Sequence, residues 1–307
     1  MKSATIFSLF SLAVASPVEK RQNQAGVNDA AILNYALTLE HLENAFYKGA
    51  LARYSQADFA AAGFDATVYK NIVEIGKDEA SHVSFLTQAL SAAGANPVSP
   101  CTYNFPYNSV GAFMSLSKTL EGVGISAYLG AAANITTPAY LTAAASILTV
   151  ESRHSAYVRA QLKLSPFPGA YDTPLGFNGV YTLAAGFITA CPSTNVALPV
   201  KAYPSLSLTG FTQVFSGRQA SFTTPATGLP ASGAFVAFIS GVSGPVFVPA
   251  TTSGSTVTAT VPSTMLDGQI YALLTRQGSG AMIVPAQVLA GPAAIELGLP
   301  GAVAVAA

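Results

Sequence analysis

The chain has 307 residues, of which half are hydrophobic and only 9% are charged, and its formal net charge is zero. This composition argues against intrinsic disorder, which depends on polarity and net charge. It also argues against nucleic-acid binding, because no stripe of Lys and Arg is present to neutralise phosphates. The length allows two ordinary domains with sizeable cores.

The first 21 residues predict targeting and processing rather than structure. Lys2 precedes a short apolar run, residues 4–14, which overlaps the small residues Ala13-Val14-Ala15 of a signal-peptide cleavage site. The run is too short for a membrane anchor, which needs about 20 residues. Lys20-Arg21 indicates the end of a short propeptide, with a solvated pair of charges as the alternative. We therefore expect a secreted protein without a transmembrane segment, free outside the cell or held at the cell wall or surface.

Four long segments with helical periodicity follow, separated by helix breakers. They cover residues 27–53, 66–93, 107–134 and 138–164, and the first pattern continues towards a breaker at Gly63. Asp65 is a suitable N-cap for the second segment, and Thr137-Pro138 gives the fourth a cap residue followed by proline. Helices of about 25 residues are twice the usual length. They predict an antiparallel four-helix bundle in residues 22–165.

The remainder of the chain has a different character. Residues 166–197 are rich in Pro, Gly and aromatic residues, with one apolar stretch at 179–188, and we expect an extended linker wrapped on the bundle. Short β-branched or aromatic segments then alternate with Gly, Pro and Ser, which is typical of a small β-sandwich in residues 198–307. The predicted strands are 205–208, 233–239, 245–248, 255–261 and 269–275. The predicted fold class is α+β with two domains.

Two covalent modifications are indicated. Cys101 and Cys191 are the two cysteines of the chain, and an even number in a secreted protein predicts one disulfide, with buried free thiols as the alternative. This bond would tie the 166–197 segment back to the bundle. Asn134-Ile135-Thr136 is an N-glycosylation sequon in a predicted loop.

Residue types that bind metals are concentrated in the helical half. All three histidines and ten of the fourteen acidic residues lie between residues 27 and 165. Two of the histidines share one arrangement, Glu79-x-x-His82 and Glu151-x-x-His154. Because residues three apart lie on the same face of a helix, each pair can direct two ligands to one point.

Each predicted helix places a carboxylate in its apolar, core-facing stripe. Glu79 and Glu151 do so with their histidines, as do Glu121 in the third helix and Glu43 in the first. Four unpaired buried carboxylates would each cost several kcal/mol, and metal cations are the natural compensation. Protonated or hydrated side chains in a loose core are the alternative. Glu40 lies on the adjacent stripe, and the gap of about 36 residues from Glu43 to Glu79, which suits an antiparallel helix pair, favours Glu43.

The order Glu, Glu-x-x-His, Glu, Glu-x-x-His resembles the di-iron carboxylate pattern of ferritin-like proteins. The segment LEHLENAFY at residues 39–47 contributes to the same resemblance, which covers about residues 27–165. The chain is similar to secreted fungal members of the ferritin-like superfamily, some described as responsive to stress or nutrients. It is also similar to plant desiccation-related proteins.

The resemblance implies a role for each candidate ligand. Glu43 and Glu121 would be terminal ligands, Glu79 and Glu151 would bridge two metal ions, and His82 and His154 would each complete one coordination shell. Glu40 would be a further carboxylate ligand or a group supporting the ligands.

Four other residues near these motifs are not expected to bind metal directly. His41 is expected at the surface, because it points away from the carboxylate stripe. Tyr47, Tyr128 and Tyr157 are expected mainly to pack in the bundle core, with hydrogen bonding to ligands or radical chemistry as alternatives.

The leading hypothesis is a centre of two metal ions, iron first and manganese or zinc as alternatives, that oxidises Fe²⁺ or detoxifies peroxide in a stress response. Its reaction partners would be metal ions and dioxygen or peroxide. The low charge and extra domain argue against a closed storage cage. The alternative is a non-catalytic extracellular or cell-wall stress or interaction protein, whose metal is structural or vestigial and whose C-terminal domain binds a wall or surface ligand. The sequence identifies no catalytic residue.

Overall fold

A computed structural model describes residues 27–210, 213–265 and 268–298. The predicted signal peptide and dibasic processing site lie outside these residues. Within the described ranges the chain is α+β, with helices first and two main β-sheets after them, which confirms the predicted fold class.

Four long helices form an antiparallel bundle in which the first two and the last two pair most closely. They are α1 (Asp29–Arg53), α3 (Ala66–Ala92), α4 (Val110–Ala132) and α5 (Pro138–Gln161), and a short α2 (Gln56–Ala61) lies between the first two. Asp65 caps α3 by accepting hydrogen bonds from the backbone amides of Thr67 and Val68, as predicted. In the part of the chain described by the structure, no helix combines the length and apolarity that crossing a membrane requires.

The 166–197 segment is not simply an extended linker, because it contains α6 (Phe177–Ala185). Val180 and Ala184, one turn apart, are buried on a face that contacts α4 and the β-region. These tertiary contacts give a short apolar segment enough burial to be helical despite the Pro- and Gly-rich sequence around it.

The predicted disulfide is present between Cys101 and Cys191. It adjoins a two-stranded sheet of β1 (Thr102–Tyr103) and β2 (Ile188–Ala190). The connection from α3 to α4 is thereby tied to the chain after α6.

The C-terminal region is a β-sandwich of a five-stranded and a four-stranded sheet. In sheet order the first contains β4 (Gln213–Val214), β11 (Val288–Leu297), β10 (Gly268–Thr275), β6 (Phe235–Ile239) and β7 (Pro245–Pro249). The second contains β3 (Ser207–Leu208), β5 (Gln219–Thr223), β9 (Thr256–Thr260) and β8 (Thr251–Ser253). The five predicted strands correspond to β3, β6, β7, β9 and β10, whereas β4, β5, β8 and β11 were not predicted.

Strand β10, in the middle of the five-stranded sheet, is buried on both faces. Successive side chains of a strand point to opposite faces, so Ile270 and Leu274 of β10 enter the core of the sandwich. Tyr271 and Leu273 of the same strand join the hydrophobic core of the bundle. The β-region is therefore packed on the helices that carry the predicted metal ligands.

Candidate metal centre

The middle of the bundle contains two overlapping groups of four side chains that could hold metal ions. One group is Glu40, Glu79, His82 and Glu151, and the other is Glu79, Glu121, Glu151 and His154. Within each group, one donor atom from every residue lies within 4.8 Å of the others, and all are buried. Glu79 and Glu151 belong to both groups, which is the position of a bridging carboxylate.

Helix geometry brings the histidines against the carboxylates. His82 Nδ1 lies 3.2 Å from Glu40 Oε2, 3.5 Å from Glu79 Oε2 and 3.4 Å from Glu151 Oε1. His154 Nδ1 lies 3.1 Å from Glu79 Oε1 and 3.4 Å from Glu121 Oε2. In both Glu-x-x-His motifs the three-residue spacing thus directs the carboxylate and the imidazole to one point, as predicted.

Eight donor atoms of these six side chains are buried and have no hydrogen-bond partner among the described residues. They are Glu40 Oε2, both carboxylate oxygens of Glu79 and of Glu151, Glu121 Oε2, and the Nδ1 atoms of His82 and His154. Buried polar atoms are almost always paired in folded proteins, and leaving them unpaired is costly. Divalent cations would satisfy all eight, and a mixed carboxylate and imidazole donor set suits iron, manganese or zinc.

The electrostatics of the cluster favour the binding of cations or protons. Burial raises the pKa of Glu79 to about 7, although His154 and His82 act in the opposite direction. Burial and the neighbouring Glu79 raise the pKa of Glu151 well above its usual range. Burial lowers the pKa of His82, but the carboxylates around it, Glu151 first, outweigh burial and raise that pKa to about 12. A metal ion would displace the protons that otherwise neutralise this cluster.

The sequence of the helical region is similar to that of a known protein family. Residues 28–164 match the family model described as "Ferritin-like domain". Residues 28–164 are a ferritin-like domain. The chain is also similar to Protein rds1 of Schizosaccharomyces pombe (strain 972 / ATCC 24843), with 28% identity over 181 residues. That match covers 59% of this chain and 44% of the relative, so the chain spans less than half of the relative's length.

The first-helix carboxylate that lies in one of the two groups is Glu40, whereas the sequence spacing favoured Glu43. Glu40 lies in the first ligand group, whereas Glu43 lies in neither. Glu43 is buried nearby, and a Cβ built on Gly124 would lie 3.1 Å from its Oε1 atom. The spacing argument took no account of α2, which lies in the connection from α1 to α3, so the two helices are not joined by a simple short loop. The stripe argument does not discriminate between Glu40 and Glu43, because residues 32–43 of α1 are all buried.

Two tyrosines of the ferritin-like domain hydrogen-bond to carboxylates of the two groups, although they were expected mainly to pack in the bundle core. Tyr128 donates a hydrogen bond of 2.5 Å from its hydroxyl to Glu40 Oε1. Tyr47 donates a short hydrogen bond to Glu121 and lies 2.7 Å from the Ser117 hydroxyl. The alternative interpretation of these residues was therefore the better one. Tyr157, by contrast, is only partly buried, and its side chain hydrogen-bonds with Asn71.

The expectation for His41 was wrong, and one supporting residue was missed. His41 is buried and its Nε2 lies 3.0 Å from the Val98 carbonyl oxygen, because a loop after α3 covers this side of α1. Asp78 Oδ2 lies 3.2 Å from His154 Nε2, opposite the nitrogen that faces the ligands. Such a carboxylate fixes the tautomer and orientation of a metal-binding histidine. The signal in the sequence that could have identified Asp78 was its position immediately before Glu79, the first residue of the Glu-x-x-His motif.

Proposed function

We propose that the ferritin-like domain binds two metal ions, iron first, and uses them to oxidise Fe²⁺ with dioxygen or to remove peroxide. The observation that supports this proposal is the set of eight unpaired donor atoms in two groups sharing Glu79 and Glu151. A pair of iron ions, when bound, supplies the two electrons that reduction of dioxygen to peroxide, or of peroxide to water, requires.

The residues of the chain would divide the work of holding two ions. Glu40 and His82 belong to one group alone, and Glu121 and His154 to the other. Glu40 and His82 would hold one ion, Glu121 and His154 would hold the other, and Glu79 and Glu151 would contribute to both. Fixed donor geometry and exclusion of water from the bundle core favour chemistry at the centre.

The supporting groups fix the terminal carboxylates. The hydroxyl of Tyr128 holds one oxygen of Glu40 and leaves Oε2 directed at the first group. Tyr47 holds Oε1 of Glu121 and leaves its Oε2 directed at the second. Each tyrosine therefore leaves one oxygen per terminal carboxylate for a metal ion.

Metal analysis of the protein, purified without chelator, is the first test. We expect about two metal ions per chain, on the two-group geometry, and rapid oxidation when anaerobically loaded Fe²⁺ meets air. The Glu79→Ala, Glu151→Ala double variant should lose both, whereas Glu74→Ala, at an exposed position of the same helix as Glu79, should lose neither. Oxidation that persists in the metal-free double variant would refute the proposal.

A second candidate function is a non-catalytic extracellular or cell-wall protein whose metal is structural. It is favoured by a groove of about 560 Å³ in the β-region, whose lining includes the exposed residues Thr227 and Ser255. The hydroxyl groups of these two residues would hydrogen-bond a wall polysaccharide. Binding of wall polysaccharide by the full chain, unchanged in the Glu79→Ala, Glu151→Ala variant and lost on Thr227→Val, would support this candidate.

We also propose that the chain is secreted and that Asn134 carries a glycan. The two cysteines form a disulfide, which is typical of oxidising compartments. Asn134 lies in the partly exposed connection between α4 and α5. Recovery of the protein from the medium, an N-terminus following Arg21, and a mass shift on glycosidase treatment are the expected results.

A further inference from the structure

The two ends of the bundle are filled differently. At the end formed by the C-terminal half of α1 and the start of α4, aromatic rings pack against one another, with Phe46 and Phe113 stacked at 4.9 Å. Phe59 and Tyr107 also contact Phe113 there. At the other end six alanines lie among larger apolar and aromatic residues. Small side chains leave space between helices that large aromatic side chains would occupy.

This space is an apolar cavity of about 30 Å³ among α1, α3, α4 and α5. Six alanines contribute to its lining: Ala36, Ala89, Ala127, Ala131, Ala143 and Ala144. The surface of the cavity is almost wholly apolar. Apolar cavities of this kind stay dry and bind apolar gases such as xenon, although roughly 10–15 Å³ would be enough space for one water molecule.

The cavity lies next to the ligands of the first metal group. Tyr128 lines it, and the hydroxyl of Tyr128 is hydrogen-bonded to Glu40. Ala36 and Leu86, also in the lining, are four residues along their helices from Glu40 and His82. Four residues of helix correspond to a rise of about 6 Å. One layer of side chains therefore separates the cavity from the ligands.

The cavity also reaches the protein surface. Phe85, another lining residue, is 47% exposed, which is unusual for a phenylalanine in a helical bundle. The cavity therefore lies between an exposed side chain, Phe85, and Tyr128, which is hydrogen-bonded to Glu40.

We propose that dioxygen reaches the metal centre through this alanine-lined cavity. The inference rests on the proposed function, because it names the route by which that centre would receive its oxidant. The volume suits a diatomic molecule and excludes an organic substrate of ordinary size. The apolar lining disfavours water and hydrogen peroxide, which would leave their hydrogen bonds unmade.

Xenon binding tests the cavity without any metal. A crystal structure of the metal-free protein under xenon pressure should show a xenon atom between Ala36 and Ala144. The Ala144→Leu variant should lose that atom, because leucine fills the space. The control is Ala145→Leu, on the neighbouring exposed position of α5, which should keep it. No xenon in the wild-type cavity would overturn the proposal, whether or not the protein binds metal.

Oxidation kinetics test the route. In the iron-loaded protein, Ala144→Leu should slow oxidation by dioxygen several-fold but leave oxidation by hydrogen peroxide and iron stoichiometry unchanged. Ala145→Leu should behave like the wild type. Equal slowing with both oxidants would assign the effect to the centre and overturn the route, as would an unchanged rate with dioxygen. Failure of the wild type to bind iron would refute the proposed function alone, and the xenon result would then decide the cavity.

Discussion

Glu40 and Glu43 are one turn apart on α1 and both are buried, yet only Glu40 lies in a ligand group. Exchanging Glu40 for Gln keeps the size of the side chain but removes its charge and one anionic donor. We expect Glu40→Gln to retain one tightly bound metal ion and Glu43→Gln to retain two. Elemental analysis after dialysis measures the stoichiometry. Two ions in Glu40→Gln and one in Glu43→Gln would show that Glu43 is the ligand.

A change at Asp78 tests whether this carboxylate orients the imidazole of His154, rather than whether His154 itself binds a metal ion. The Asp78→Asn change removes the carboxylate that lies 3.2 Å from His154 Nε2, so the imidazole loses its oriented partner. We expect the affinity for one metal ion to fall by about 10–100-fold, the usual effect of losing such a group. Titration against a competing chelator measures it. Glu74→Gln, at an exposed ion pair with Lys77, should change neither affinity, and an unchanged Asp78→Asn would contradict the role.

The sequence named all six residues of the two groups as candidates, but in the first helix it favoured Glu43 over Glu40. The Glu-x-x-His motifs were decisive because helical spacing alone sets their geometry. The choice of Glu40 depended on the rotation of α1 in a bundle where nearly all its faces are buried, and spacing within one helix does not determine that. One unused signal was present: Tyr47 follows Glu40 by seven residues, as Tyr128 follows Glu121.

In helix α4 a glycine, Gly124, allows the backbone to lie close to the carboxylates of the cluster. A Cβ built on Gly124 would lie 2.8 Å from Glu151 Oε2, too close for an unmoved bridging carboxylate. We expect Gly124→Ala to displace Glu151 and to abolish binding of the metal pair, with the loss measured as stoichiometry. In Gly111→Ala, on the same helix with open space around the new Cβ, pair binding should persist. Its stability should rise by about 0.5–1 kcal/mol, and equal metal binding in the two variants would contradict the argument.

The long helices were predictable because their caps and periodicity are local, whereas β11 was not. Its sequence, VLAGPAAIEL, is rich in small residues that do not favour strands. Packing explains them: a Cβ on Gly291, whose φ is +99°, would lie 2.9 Å from the Ala272 carbonyl oxygen of the neighbouring strand. Tertiary contacts of this kind leave no regular pattern in the sequence.

For the molecule as a whole, the junction between bundle and sandwich contains a buried ion pair. Arg159 of α5 donates two hydrogen bonds to Glu296 of β11, at 2.6 and 3.1 Å, and Lys118 of α4 lies 3.1 Å from the same carboxylate. Both regions also share one hydrophobic core through Tyr271. The sequence indicated two domains but not this shared core, because the alternation of β10 does not say what covers each face.

The junction makes stability depend on pH. Burial raises the pKa of Glu296, but Arg159 and Lys118 outweigh it, so the net shift is downward from 4.5. The carboxylate therefore stabilises the fold above the pKa of the unfolded chain, and this contribution is lost as pH falls through the lower folded pKa. We expect Glu296→Gln to reduce stability by about 3–5 kcal/mol at neutral pH, since it leaves Arg159 unpaired.

Denaturant unfolding at neutral pH and near pH 3 measures this dependence. The difference between Glu296→Gln and the wild type should shrink at the acid pH, because the unfolded chain binds a proton at this carboxyl below its ordinary pKa of 4.5 while the folded chain, with its lowered pKa, resists it. Glu74→Gln, at an exposed pair, should stay within about 0.5 kcal/mol of the wild type. A difference for Glu296→Gln that is the same at both pH values would exclude the ion pair as its cause.

The crossed tyrosine contacts give the centre an approximate two-fold axis. Division of the bundle between α3 and α4 yields two hairpins, each with a Glu seven residues before a Tyr and one Glu-x-x-His pair. Tyr47 of one hairpin contacts Glu121 of the other, and Tyr128 returns the contact to Glu40. Two copies of a single hairpin would therefore supply the same set of candidate ligands, which is the arrangement expected from duplication of one hairpin. The axis relates the aromatic end of the bundle to the alanine end, so the two ligand groups are alike in their residue types but face differently packed ends of the bundle.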